Sequence, residues 1–209
     1  MAHRETWGRF VVSAVMSAVI GWIAFVANQP VPLLDWFDLG IHEAGHLVMM
    51  AFPDLVMFLA GSVAQVLFPL GMAAYFGLRR RDPASSGFCL AWAGASAWDV
   101  SVYIADAPVQ GLPLVGGGTH DWAWILGRFD AIDRAGSIAG FVEAIGALMV
   151  VSGIVMAVVG LVAGLRRAPL PESSRPGLPA VDHRSRPLDP EGDPWLAAAN
   201  APFEDGANG

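Results

Sequence analysis

Apolar positions along this chain gather into long, nearly unbroken runs separated by short polar or proline-containing breaks. Five runs stand out: Phe10–Asn28, Leu33–Phe52, Leu55–Leu78, Gly87–Ala105 and Ile138–Leu165. Each is roughly 18 to 28 residues long, against about 20 for a helix that crosses a bilayer. Inside lipid every backbone group must bond within its own segment, so runs of this length predict helices. Small residues recur at helix-packing spacing, as in Ser13, Ser17 and Gly21 and again in Gly160 and Gly164. From Ala168 the pattern stops. The remaining tail holds eight of the 15 prolines, mixed charges and few large apolar groups, which predicts disorder. The expected architecture is all-α: a polytopic membrane helix bundle of about five transmembrane helices over residues 1–167, then a disordered Pro-rich tail over residues 168–209.

Composition supports the membrane reading. Of 209 residues, 55% are hydrophobic and only 15% are charged, with a mean hydropathy of +0.50. The net charge of −7 owes much to acids in the tail, and nothing in the pattern forms a nucleic-acid surface. Cys89 is the only cysteine, so no intrachain disulfide framework exists. All 12 basic residues are arginine. Arg79, Arg80 and Arg81 follow the third run, and Arg166 and Arg167 follow the fifth. With five spans both clusters fall on one side, which the positive-inside rule makes cytoplasmic. The N-terminus then falls outside, against the sense of Arg4 and Arg9. The opening "MAHRETWGRF" resembles a signal sequence, but the following run is long and has no clear small-x-small cleavage site. An uncleaved first helix is expected.

The second run contains the chemistry. In "DLGIHEAGHLVMMAF", His42 and His46 are four residues apart, so both imidazoles leave one helix face with Cβ atoms about 5–6 Å apart. That spacing lets two ring nitrogens reach one tetrahedral metal and leaves the adjacent Glu43 to reach a coordinated water. Zinc brings such a water's pKa near 7, and a carboxylate beside it can take the proton and return it to a leaving amine. Ionisable groups at membrane depth are costly and mark function, although a polar seam between helices is the plainer alternative. Asp35 is placed to cap this helix, and Asp38, four residues before His42, is placed to orient that imidazole or to favour the helix N-terminus. Phe52-Pro53 ends the helix.

HEAGH in an early apolar helix of a small polytopic protein resembles the site-2-protease-like membrane zinc metallopeptidases, over about residues 33 to 125. The resemblance implies that His42 and His46 are zinc ligands, that Glu43 is the general base, and that a membrane protein or peptide is the substrate. That family takes a third ligand from an aspartate in an Asn-Pro-x-Asp-Gly-like motif on a later helix, and no such motif occurs here.

The third ligand is therefore sought in "WDVSVYIADAPVQGLPLVGGGTHDW". Asp99, Tyr103 and Asp106 share one helical face. A Gly-rich loop, Gly116 to Gly118, then leads to His120 and Asp121 and could fold back over a metal. His120 ranks first and Asp106 a close second, ahead of Asp121, Asp99 and Glu143. In the five-span arrangement Asp106, His120, Asp121 and Glu143 all fall on the side to which the His42–His46 helix points. Gln65, in the third run, is read as a helix-packing or substrate-bonding amide, and Trp92, Trp98, Trp122 and Trp124 as interfacial anchors or packing residues.

The leading expectation is an intramembrane zinc metallopeptidase that hydrolyses a peptide bond in or near the bilayer. It would be integral to a bacterial inner (plasma) membrane and surrounded by lipid. The alternative is a catalytically inactive metal-binding membrane protein with a regulatory or transport role. Haem ligation is weaker, because histidines four apart on one helix cannot ligate opposite faces of one haem.

Overall fold

The structure is a computed structural model that describes residues 2–115 and 118–166, with side chains from residue 7 onwards. The tail expected from residue 168 lies outside the described residues. The fold is all-helical, with no strand among the described residues. Its helices are α1 (Ala2–Gly21, continued by a π turn, Trp22–Val26), α2 (Leu34–Met49), α3 (Asp54–Ala74, continued by a π turn, Tyr75–Arg79), α4 (Pro83–Asp106), α5 (Asp121–Arg128) and α6 (Ala135–Arg166).

Four segments are long and apolar enough to cross a membrane: Trp7–Val26, Asp54–Arg79, Pro83–Asp106 and Ile132–Arg166. The fifth expected span, Leu33–Phe52, is not among them. It forms α2, whose 16 residues rise about 24 Å, short of the roughly 30 Å of a hydrocarbon core. The run carries Asp35, Asp38, Glu43 and two histidines, which lower its hydropathy, and its first and last residues go into turns.

Helix α4 is the hub. Of its most apolar window 67% is buried, against 22% for each of the other three spans. Its sequence explains this, because Ala84, Ser86, Gly87, Ala91, Gly94, Ala95, Ser96 and Ser101 leave little side chain between α4 and its neighbours. Without a hydrophobic force between helices in lipid, close backbone contact through small residues is what holds them. A Cβ on Gly94 would meet the Gly146 carbonyl oxygen at 2.5 Å, and one on Gly87 would meet that of Gly153 at 2.6 Å. These contacts set α6 antiparallel to α4.

Direction follows from the remaining contacts. Arg9 pairs with Asp82, Ser13 Oγ donates to the Ala84 carbonyl at 2.6 Å, and Ile20 and Ala24 pack with Ala95 and Trp98, so α1 runs parallel to α4. Asp82 also caps α4 by accepting from Ser85. Burial pushes its carboxyl up, but the Ser85 hydrogen bonds and the Arg9 guanidinium outweigh this and hold it below its ordinary value. Ser86 Oγ donates to the Ala73 carbonyl and Gln65 reaches Asp99, so α3 is antiparallel to α4. Gly45 meets Ala60 and Ala64, and His46 meets the Met57 carbonyl, so α2 is antiparallel to α3. Helices α1 and α2 therefore run in the same sense, joined by residues 27–33.

That parity revises the expected topology. With four spans, the N-terminal end of α1 and the C-terminal end of α6 lie at one end of the bundle, where Phe10 packs on Gly160. The opposed signals of Arg9 and the later arginine clusters disappear, because all of them sit at that end.

Substituting Gly94 by Val should force α4 and α6 apart and destabilise the bundle by about 1–3 kcal/mol. Denaturation with SDS in mixed micelles would measure it. Gly136→Ala, on α6 where a Cβ meets nothing within 4 Å, should shift the midpoint by less than about 1 kcal/mol.

Candidate metal centre

His42 and His46 lie on the α2 face turned towards α3, and Asp121 opens α5. His42 Nε2 stands 3.0 Å from Asp121 Oδ2, and His46 Nε2 stands 3.1 Å from the same oxygen. The ligand atoms of the three residues lie within 4.8 Å of one another, an arrangement that could hold a metal ion. His42 and Asp121 are buried, at 8% and 6% exposure, and His46 is half-buried.

The hydrogen bonds behind the rings decide what faces inwards. His46 Nδ1 lies 2.7 Å from the Met57 carbonyl oxygen, which can only accept, so Nδ1 carries the hydrogen. His42 Nδ1 lies 3.1 Å from Gln65 Oε1. The Gln65 amide is oriented in turn, because its Nε2 donates to Asp99 Oδ2 at 2.6 Å, and Nδ1 of His42 is therefore also the donor. In the neutral rings both Nε2 atoms then present lone pairs to a carboxylate oxygen. Three acceptors meeting at about 3 Å repel unless a cation lies among them. A proton on each ring would turn the two Nε2–Oδ2 contacts into hydrogen bonds, and a metal ion lying among the three atoms would bind them all at once.

The donor set fits a tetrahedral ion. With bonds of about 2.0–2.1 Å, tetrahedral ligands stand roughly 3.3 Å apart, a few tenths beyond the two Nε2–Oδ2 separations. Two imidazoles and a carboxylate suit zinc, and three protein ligands leave one position free. Space is kept by Gly61 on α3, where a Cβ would lie 2.5 Å from His46 Nε2 and 2.6 Å from His42 Nε2.

Several contacts deliver Asp121. The Tyr103 hydroxyl accepts from the Asp121 backbone N–H at 3.1 Å, Trp122 Nε1 donates to Ser62 Oγ at 3.0 Å, and Trp124 stacks on Phe58. Together they pin the start of α5 to α3 and α4.

The structure brings together His42, His46 and Asp121, and it keeps His120 and Asp106 out of the cluster. His120 is the residue that caps α5: its Nδ1 accepts from the Ala123 N–H at 3.2 Å, and its ring stacks on Tyr103. Its Nε2 lies 3.3 Å from Asp106 Oδ2, an ion-pair distance whose approach is not that of a hydrogen bond. Asp106 accepts from the Gly111 and Leu112 N–H groups and organises the loop after α4. Neither belongs to the group of ligand atoms formed by His42, His46 and Asp121.

Asp99 stands behind Gln65, one step from the cluster, and Glu143 is exposed on α6. Asp38 does not touch His42. It accepts from Trp92 Nε1 and Ser96 Oγ, both at 2.8 Å, and anchors α2 to α4. The N-cap of α2 is Leu33, with no side-chain cap, and Asp35 lies in the first turn instead. Glu43 follows His42 on the exposed side of α2. Gly61, Ser62 and the Met57 carbonyl were missed from the sequence. A signal existed for Gly61, which is four residues before Gln65 and so shares its helix face.

Comparison with family models, curated proteins and solved structures gives no match.

Gly61→Ala should lower the metal content of detergent-purified protein at least tenfold, read by mass spectrometry, with the fold retained by circular dichroism. Gln65→Ala should weaken metal affinity by about 10–100-fold, the usual cost of losing a partner that orients a ligating histidine.

Proposed function

We propose that this protein is a zinc-dependent metallopeptidase of a bacterial inner membrane, similar to the site-2-protease-like enzymes, that hydrolyses a peptide bond in or near the bilayer. The observation that carries this reading is the convergence of three lone-pair donors, His42 Nε2, His46 Nε2 and Asp121 Oδ2, with Glu43 next to His42 in the chain. Asp121 takes the third position in this reading, in place of His120 or Asp106.

Zinc held there would acidify a water and polarise the scissile carbonyl. The residues supply the rest. Met57 and Gln65 keep both imidazoles in the tautomer that leaves Nε2 free, and Tyr103 fixes the backbone of Asp121. Glu43 accepts the proton of the attacking water as its oxygen bonds to the carbonyl carbon. The carboxylic acid then gives that proton to the amine nitrogen as the C–N bond breaks. A membrane helix would have to unwind to present its carbonyl, so substrates with helix-breaking residues are favoured.

One observation favours the second reading, a metal-binding protein without catalysis: Glu43 is exposed and has no hydrogen bond among the described residues. The two readings separate on one variant. In liposomes holding designed single-span substrates with a central Gly-Pro segment, the zinc-loaded wild type should cleave, and Glu43→Gln should keep its zinc yet lose at least about 100-fold in rate. Full zinc occupancy with no cleavage by the wild type would leave the inactive reading standing.

A further inference from the structure

Charge is distributed very unequally between the two ends of this bundle. The end formed by the start of α1, the close of α3, the start of α4 and the close of α6 carries Arg9, Arg79, Arg80, Arg81 and Arg166. Among the described residues the arginine-rich end has one acid, Asp82, and the opposite end carries Arg128 and Arg134 alongside Asp54, Asp106, Asp121, Asp130 and Asp133. The antiparallel packing of α4 with α6 and α3, and the parallel packing of α1 with α4, put each of these residues at its end without reference to any membrane.

The metal centre is not midway between them. Gly61, against which both Nε2 atoms lie, is about two turns into α3 from Asp54, roughly 10 Å at 1.5 Å per residue. The rest of that span, on to Arg79, is roughly 27 Å. Tyr103, which positions Asp121, is within one turn of the end of α4. Asp121 itself opens α5, whose Leu126 packs with Ile104 and Ala107 where α4 ends. Three elements thus place the site in the arginine-poor third of the bundle.

Arginine flanking a span is retained on the cytoplasmic side. We propose that the arginine-rich end is cytoplasmic and that the metal centre lies in the outer third of the bilayer. Its substrates are then membrane proteins whose scissile bond sits in an unwound segment of that outer third, and not at the cytoplasmic interface. The orientation stands on charge and packing alone; the substrate class rests on the peptidase reading.

Two measurements test the two parts separately. In a Cys89→Ser background, single cysteines replace Gly8 at the arginine-rich end and Gly127 at the other, both exposed and with nothing within 4 Å of a new Cβ. In intact spheroplasts a membrane-impermeant maleimide should label Gly127→Cys at least tenfold more than Gly8→Cys, and permeabilisation should equalise them. Equal labelling before permeabilisation, or the reverse ratio, overturns the orientation. Next, zinc-loaded protein co-expressed with single-span substrates carries the second part. A Gly-Pro segment in the outer third should be cut at least tenfold faster than the same segment in the inner third. Faster cutting of the inner segment overturns the substrate class while the peptidase reading survives. No cutting of either, with the labelling as expected, overturns the peptidase reading and the substrate class together and leaves the orientation in place.

Discussion

Two backbones in near contact set the geometry of this bundle. Where Gly87 and Gly94 of α4 face Gly153 and Gly146 of α6, each backbone carbonyl occupies the space a side chain would fill. In lipid, that closeness supplies the dispersion and weak polar contacts that bury neighbouring helices against each other. Because α4 and α6 cannot slide without clashing, the depth of every residue on α4 is set. Asp99, Ser96 and Trp92 then stand at fixed heights. Asp38 is drawn to Trp92 and Ser96, which anchors α2 part-way along the bundle with no need for it to span.

A second chain of dependence runs through the polar groups. Asp99 orients Gln65, Gln65 orients His42, and the Met57 carbonyl orients His46. Each link satisfies a buried donor or acceptor that would otherwise be costly in an apolar interior. The chain ends where the two Nε2 atoms meet one carboxylate oxygen of Asp121. The partners behind the two rings are thus what turn both Nε2 atoms towards Asp121, in a cluster that could hold a metal ion.

The site also explains the length of α2. Both Nε2 atoms lie against Gly61 on α3, near that helix's start, where a Cβ would collide with them. Starting part-way down, after the turn at residues 27–33, α2 presents His42 and His46 to α3 within two turns of the acidic end. The same arrangement gives α1 and α2 one direction and puts the arginines of α1, α3 and α6 at a common end.

Lipid makes long apolar segments helical whatever their neighbours, and the helix repeat puts residues four apart on one face. The all-helical bundle, four of the five expected spans and the His42–His46 pair were therefore legible from the chain alone. Local spacing did not show that α2 stops short: three acids and two histidines lower its hydropathy, but where it begins is fixed by its packing against α3 and α4. Nor could it choose between neighbours in "THDW". His120 is consumed in capping α5, whereas Asp121, one residue on, is turned by about 100° and so faces the histidines. Which of two adjacent side chains meets α2 is a matter of where α5 starts and what holds it there. That depends on Tyr103, Ser62 and Phe58, contacts that span many residues of chain and exist only once the bundle has closed.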